Sequence, residues 1–218
     1  MPRTVVRRRP KVHDIAREDV IDAAAAIVAE SGYEALSMRA LADRCEVPIT
    51  TIYRLITAKE QLLGALADRL FREIMEPIPA SSASWESEVL TIFCTANRLL
   101  HEHPELAEIV ARQHTNGQVG FATAERTIRA LRRAGLTAEN AAVAFNALVA
   151  YTIGFTQRQL HTTTASVGER WALVQELPRE EYENVHALNQ ALIARPSSEQ
   201  FEEGLKVIVR GFVQGLQR

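Results

Sequence analysis

Apolar residues recur at every third or fourth position over most of the chain, which is the period of an α-helix. Helices are predicted wherever this pattern persists between capping and breaking residues, at 17–31, 58–75, 85–101, 104–114, 120–134, 137–161 and 198–216. Gly32 and Gly135 follow two of these segments, and glycine is the preferred residue just past the end of a helix. The sequence therefore predicts an all-α fold.

A helix-turn-helix is predicted in the stretch 36–63, where two short helices follow one another closely. Small and apolar residues occupy the positions at which such helices cross: Leu41, Ala42, Cys45, Val47, Ile52 and Leu55. Ser37 is suited to cap the first helix, and Pro48 is suited to the first turn of the second. A helix-turn-helix is a module that places its second helix in the major groove of DNA.

Charge is unevenly distributed, although the net charge of the 218 residues is only −2. Residues 1–17 contain six basic residues and one acid, and Arg7, Arg8 and Arg9 are consecutive. Such a segment is either a solvated tail or an arm that contacts phosphates and the minor groove. The adjacent helix-turn-helix favours the arm.

A domain boundary is predicted at 77–84, where two prolines, three serines and two alanines interrupt the helical pattern. We therefore divide the chain into a basic arm at 1–16, a DNA-binding domain at 17–76 and a helical domain at 77–218. The DNA-binding domain has the three-helix form of a helix-turn-helix.

The two longest helices of the second domain, 137–161 and 198–216, are strongly apolar. They are either an ordinary core or a four-helix bundle formed with a second copy of the chain. A single helix-turn-helix reads too few base pairs to be selective, which favours a homodimer through these two helices.

Other classes of protein fit the sequence poorly. The two cysteines and six histidines show no spacing typical of a metal site, and there is no glycine-rich phosphate loop or nucleophile motif. We therefore expect no enzyme activity, cofactor or metal. No apolar run is long enough to cross a membrane, so we expect a cytoplasmic protein.

The region 17–74 resembles the N-terminal domain of the TetR family of transcriptional repressors. The resemblance is carried by Ala24, Ala25, Ile27, Glu30 and Gly32, by Leu36-Ser37-Met38-Arg39, and by Ile52-Tyr53 and Lys59-Glu60 followed by Leu62-Leu63. Glu46 departs from the family, which has glycine in the turn, where the backbone adopts positive φ; Glu would cost roughly 1 kcal/mol there unless the turn relaxes. Parts of 99–205 resemble the tetracycline-repressor-like C-terminal domain.

The resemblance implies a repressor that leaves a palindromic double-stranded DNA operator when a small-molecule effector binds. Its DNA contacts would be Arg39, Ile49, Thr50, Thr51, Tyr53 and Lys59, together with the arginines of the arm. Ile49 would contribute only an apolar contact, and Lys59 would contact a phosphate. The alternative is a helical ligand-binding or scaffold protein without DNA activity.

The resemblance also suggests an effector site enclosed by the predicted helices at 85–101, 104–114, 120–134 and 137–161, with the helix at 58–75 linking it to the motif. The positions that hold tetracycline and magnesium correspond to Thr91, Thr95, Ile109, Thr127 and Arg158, which are poor metal ligands. We therefore expect a metal-free effector other than tetracycline. Its site would be lined by Thr91, Phe93, Thr95, Phe121, Thr127, Phe155 and Arg158. Arg158 would either attract an anionic or carbonyl-bearing molecule or form an ion pair at the surface.

Overall fold

The computed structural model describes residues 15–79, 84–112, 117–162, 164–194 and 196–216. Within them the chain forms eleven α-helices: α1 (Arg17–Ser31), α2 (Met38–Arg44), α3 (Ile49–Leu55), α4 (Lys59–Met75), α5 (Trp85–Glu102), α6 (Pro104–Arg112), α7 (Gln118–Arg133), α8 (Ala138–His161), α9 (Thr164–Glu176), α10 (Glu183–Ala194) and α11 (Ser197–Leu216). A 3-10 turn at Tyr33–Ala35 separates α1 from α2. The predicted all-α fold is confirmed.

Local capping residues set several helix ends where the sequence predicted them. The Ser37 hydroxyl accepts a hydrogen bond from the Ala40 N–H at 3.1 Å at the start of α2. The Thr137 hydroxyl does the same for the Asn140 N–H at 3.1 Å, at the start of α8. Pro48 lies one position earlier than predicted, since it precedes α3 as the N-cap residue instead of occupying its first turn.

The first core lies between α1, α2, α3 and the N-terminal half of α4. Its fully or nearly fully buried residues are Val20, Ile21, Ala24, Ile27, Val28, Leu36, Leu41, Ala42, Ile52, Ile56, Leu62, Leu63 and Leu66. Ile109 of α6 is completely buried in the same core. The second domain therefore inserts a side chain into the first.

The second core is formed by α5, α7, α8 and α11, with the C-terminal half of α4. Phe201, Leu205 and Val209 of α11 are buried against Leu148 of α8 and its neighbours. Leu70 and Ile74 of α4 belong to this core, although the predicted boundary assigns all of α4 to the first domain. The boundary at 76 remains a prediction, and α4 belongs structurally to both cores.

A buried charge connects α5 to α7. Glu88 of α5 is buried and forms ion pairs with Arg126 and Arg133 of α7. Arg126 also donates to the backbone carbonyls of Ile78 and Pro79, just after α4. Because the buried carboxylate has two cationic partners, its desolvation is offset, and the end of α4 is fixed against α7.

Two of the observed helices, α9 and α10, were not predicted from the sequence. These two helices pack mainly against each other, and Leu173 and Leu188 are exposed. Their apolar residues therefore do not form a stripe directed at the main core, and such a stripe was the signal used to predict the other helices.

Candidate DNA-binding surface and effector cavity

The turn between α2 and α3 holds the two helices in contact. Leu41, Ala42 and Ile52 are buried at their crossing, and the Val47 N–H donates to the Ala42 carbonyl at 3.1 Å. Glu46 has a φ of 53°, the left-handed conformation expected at this position. The turn has therefore not relaxed, and it carries the cost of roughly 1 kcal/mol predicted for a residue other than glycine.

The outer face of the motif is open to solvent. Arg39 of α2 and Ile49, Thr50 and Tyr53 of α3 are all exposed. On a helix, residues three or four positions apart share a face, so the three α3 side chains lie together. Arg54, which was not among the predicted DNA contacts, is exposed beside Tyr53. A cation next to the aromatic residue of the recognition helix was the signal that could have found it.

Thr51 is not part of this face. It is only 5% exposed, because it lies on the side of α3 that packs inward. This burial does not support the predicted contact of Thr51 with DNA, since the side chain is not on the open face of the motif. The family resemblance identified the position of Thr51 along the chain, but it did not show to which side of α3 the residue points.

Lys59 begins α4 and is held in place by an aromatic ring. Its Nζ lies 4.6 Å from the centroid of the Tyr33 ring, a cation–π contact. The residue before it, Ala58, is the N-cap and has no polar side chain with which to bond the first N–H groups of α4. An ammonium group beside the positive end of a helix dipole favours a phosphate.

Arg44 is also exposed, but it is paired with an acidic side chain. Its two terminal nitrogens donate to the two carboxylate oxygens of Glu30, each at 2.7 Å. The hydrogen bonds from Arg44 hold the pKa of Glu30 below its ordinary value. This bidentate pair links α2 to α1 and so helps to set the orientation of α2 relative to α1. Arg7, Arg8 and Arg9 of the predicted arm lie outside the described residues.

A cavity of about 370 Å³ lies in the second domain, enclosed by α4, α5, α6, α7 and α8. Its walls are Leu70, Phe71, Ile74, Ile92, Phe93, Ala96, Leu100, Val110, Gly120, Thr123, Ala124, Thr127, Phe145, Asn146, Val149, Ala150, Thr152 and Ile153. The cavity occupies the position predicted for the effector site. Its size and apolar walls are typical of a small-molecule site.

Two of the predicted effector residues, Phe93 and Thr127, line this cavity. Thr91 and Thr95 lie instead along a shallow groove between α5 and α11, with Glu202 and Arg210. They were predicted by alignment to the family, and in this chain their side of α5 does not line the cavity. Ile109, aligned with a ligand position, is in the first core.

The other three predicted effector residues also lie elsewhere. Phe121 is 60% exposed, because it is one position, or about 100° of helix rotation, past the cavity residue Gly120. Phe155 packs in an aromatic cluster with Tyr151 and Phe201, at centroid distances of 5.7 and 5.3 Å. Arg158 is exposed, with its guanidinium 4.7 Å from the Phe155 ring centroid. Stacking on Phe155 therefore replaces the predicted role of Arg158 in the effector site.

The aromatic cluster joins α8 to α11. The Tyr151 hydroxyl donates to the Phe201 carbonyl at 3.1 Å, and the two rings stack at 5.2 Å. Burial raises the pKa of Tyr151. The cluster is a structural contact between the two helices predicted to form the dimer bundle.

Two helices connect the cavity to the DNA-binding motif. In α4, Leu62 and Leu66 lie in the first core while Leu70 lines the cavity. In α6, Ile109 lies in the first core, and the next residue, Val110, lines the cavity. A change in the cavity walls can therefore reach the motif through packed side chains.

Within the described residues, none of the helices is long and apolar enough to cross a membrane. In that same part of the chain, no group of three or more His, Cys, Asp or Glu side chains is arranged to hold a metal ion.

Comparison with known families gives matches over both domains. Residues 20–66 match the family described as bacterial regulatory proteins, tetR family. Residues 78–215 match the tetracyclin repressor-like C-terminal domain. Together these matches cover the motif, most of the residues that line the cavity and nearly all of the two helices predicted to form the dimer.

Similar proteins include the class D tetracycline repressor protein of Escherichia coli, which is 28% identical over 200 residues, or 90% of this chain and 88% of that protein. An HTH-type transcriptional regulator of Saccharopolyspora erythraea is 28% identical over 140 residues, or 64% of this chain and 59% of its own length. Among solved structures, apo ActR from Streptomyces coelicolor has a TM-score of 0.82 and 25% identity, over 93% of this chain and 96% of that one.

Proposed function

The chain belongs to the TetR family of bacterial regulatory proteins, and we propose that it is a dimeric repressor released from its operator by a small molecule bound in the cavity of α4 to α8. The observation that carries this proposal is the position of α4 and α6, which contribute side chains both to the core beneath the DNA-binding motif and to the cavity. A repressor of this kind acts on DNA in the cytoplasm, and its role is regulatory and not catalytic.

The exposed face of the motif is the proposed DNA surface. Arg39, Thr50 and Tyr53 would bond to bases or phosphates, and Ile49 would offer an apolar contact. Arg54 extends this surface by one cation. Lys59 would bind a phosphate beside the N-terminus of α4, and the arginines of the arm would add sequence-independent affinity.

Dimerisation would use the outer faces of α8 and α11. Val143 of α8 and Val207 of α11 are exposed in the single subunit, and Val207 is 70% exposed. Among the described residues, and apart from the adjacent backbone of the same helix, no heavy atom lies within 4 Å of the position that a Cβ would occupy on Gly154, Gly211 or Gly215. These small and apolar positions would let a second copy approach closely, giving the four-helix bundle that places two recognition helices on one palindromic operator.

The effector can release the operator only if it binds better to a form in which the two recognition helices are spaced incorrectly for DNA. The coupling would run through α4 and α6, because both contact the ligand cavity and the first core. The class D tetracycline repressor protein is similar to this chain over most of the length of both proteins. The cavity residues argue against tetracycline with magnesium as the effector here, because the described walls contain only hydroxyl and amide oxygens as side-chain ligands.

Operator binding tests the proposal. The purified chain is titrated against DNA that flanks its own gene, at several salt concentrations. The wild type should bind as a dimer with an affinity that falls steeply with salt. Lys59→Ala should weaken binding to specific and non-specific DNA alike, and it should lower the slope of log affinity against log salt concentration by about one. Lys59→Arg should keep the wild-type affinity and the wild-type slope. A salt-independent interaction, or one unaffected by substitution of Arg39 and Tyr53 together, would refute the proposed surface.

A further inference from the structure

Three threonine hydroxyls of the cavity lining already donate their protons to backbone carbonyls of their own helices. The Thr123 hydroxyl donates to the Val119 carbonyl at 2.9 Å, and the Thr127 hydroxyl donates to the Thr123 carbonyl at 2.9 Å. Across the cavity, the Thr152 hydroxyl donates to the Leu148 carbonyl at 2.8 Å. A threonine hydroxyl has one proton and two acceptor lone pairs, so each of the three can offer a ligand only an acceptor.

The remaining walls are apolar and partly aromatic. Phe71, Phe93 and Phe145 come from three different helices, and the described lining contains no charged side chain. Asn146 is the one other polar side chain in that lining, and it is exposed at the rim. An ion placed in such a cavity would lose its hydration without gaining an opposite charge, which is strongly unfavourable.

We infer that the cavity selects a neutral, largely aromatic molecule that carries at least one O–H or N–H donor, and that it rejects carboxylates. This inference rests on the proposal that the cavity is the effector site. Thr123 and Thr127 are four residues apart, so their acceptors are stacked along one face of α7. Thr152 lies on α8, so donors at two places on the ligand would be recognised.

A set of four anthracene derivatives with one ring system tests this inference on the wild-type dimer. The probes are 9-anthracenemethanol, which has a donor, its methyl ether, which has only an acceptor, 9-methylanthracene, which has neither, and 9-anthracenecarboxylate, which is an anion. Dissociation constants are measured from the fluorescence of the probe. The alcohol should bind at least ten-fold more tightly than the ether and the carboxylate. Equal or tighter binding of the carboxylate or the ether, or no binding by any probe, would overturn the inference.

Three single variants identify which threonine hydroxyl accepts the hydrogen bond from the ligand. Thr123→Val, Thr127→Val and Thr152→Val each remove an acceptor and keep the shape of the side chain. At least one of them should reduce the preference for the alcohol over the ether several-fold while leaving the affinity for 9-methylanthracene unchanged. If all three keep the full preference, the donor is recognised elsewhere and the inference is wrong. Ala124→Trp, which fills the cavity, should abolish binding of every probe, and retained binding would show that the probes lie outside it.

Operator binding is measured separately on the same samples, so the two proposals can fail independently. Preferential binding of the alcohol without any change in operator affinity would support the ligand class and count against the cavity as the regulatory site. Operator release by a carboxylate that binds the wild type and not Ala124→Trp would support the regulatory site and overturn the ligand class.

Discussion

The carboxylate of Asp68, on α4, accepts a hydrogen bond from the backbone N–H of Gly120, in the first turn of α7, at 3.2 Å. It accepts a second from the Val119 N–H, also at 3.2 Å. Gly120 lines the cavity. A side chain of the helix that leads to the DNA-binding motif therefore holds the start of a helix that forms the cavity wall.

Loss of this contact should uncouple the cavity from the operator. Asp68→Ala removes the oxygen that accepts both hydrogen bonds. We expect operator and effector affinities to change little. The factor by which effector weakens operator binding should fall several-fold, corresponding to roughly 1 kcal/mol of coupling. The factor is obtained by titrating operator with and without effector.

The same contact can be disturbed from its other side. A Cβ on Gly117 would overlap the Asp68 carboxylate, so Gly117→Ala should reproduce the effect of Asp68→Ala. Gly64→Ala is the matched control, since it lies on α4 with no heavy atom within 4 Å of the new Cβ. An unchanged coupling factor in both Asp68→Ala and Gly117→Ala would show that the contact is not part of the signal path.

Relief of the strained turn should stabilise the DNA-binding domain. Glu46→Gly allows the φ of 53° without steric cost, so the free energy of unfolding should rise by about 1 kcal/mol. Glu46→Ala removes the charge and keeps the strain, and should not stabilise. Denaturant unfolding of the three proteins separates the two effects; equal stabilities of the Gly and Ala variants would mean that the turn is not strained.

A single charge on the outer face of α11 should separate the subunits. Val207 is 70% exposed in the subunit, so Val207→Glu leaves the fold of one chain intact and places an unpaired charge in the proposed bundle. Light scattering should show a monomer, and operator affinity should fall. Phe121→Glu, at an exposed apolar position on α7, should remain dimeric. If Val207→Glu remains dimeric, then this face of α11 is not part of the subunit interface.

Ile208 and Phe212 are less suitable positions for this test, since both side chains pack partly against the core of their own subunit.

The partly buried thiol of Cys94 gives a pH dependence with a defined sign. Burial, with a smaller effect of Glu202, raises the pKa of Cys94 from 9.0 to about 11. The folded state thus favours the neutral thiol, and this contribution to stability is present below pH 9.0 and is lost as the pH rises towards about 11. The difference in unfolding free energy between wild type and Cys94→Ala should therefore shrink over that range. Alkylation of Cys94 at pH 8 at the rate of a free cysteine would contradict the raised pKa.

Regular patterns in the sequence were enough to find most of the fold. The apolar spacing of α1, and the cap residues Ser37 and Thr137, act within a few residues of the structure they produce, so the helix ends could be predicted closely. The positive φ at Glu46 was predicted from the family resemblance, because the family has glycine at this position of the turn. In contrast, α9 and α10 pack mainly on each other and carry no stripe facing the main core.

The candidate sites were harder to predict, because they depend on which way each helix is rotated. Thr51 and Tyr53 are two residues apart on one short helix, and only Tyr53 is exposed. Phe121 and Gly120 are neighbours, and only Gly120 lines the cavity. An alignment to a family transfers a position along the chain, whereas a rotation of about 100° per residue decides whether its side chain reaches the ligand.

The most direct measurement is the operator affinity of the wild-type dimer with and without a compound that binds its cavity, compared with Ala124→Trp. We expect the compound to weaken operator binding of the wild type at least ten-fold and to have no effect on Ala124→Trp, whose cavity is filled. If compounds that bind the cavity leave operator affinity unchanged, or release both proteins equally, then the cavity does not control DNA binding in this chain.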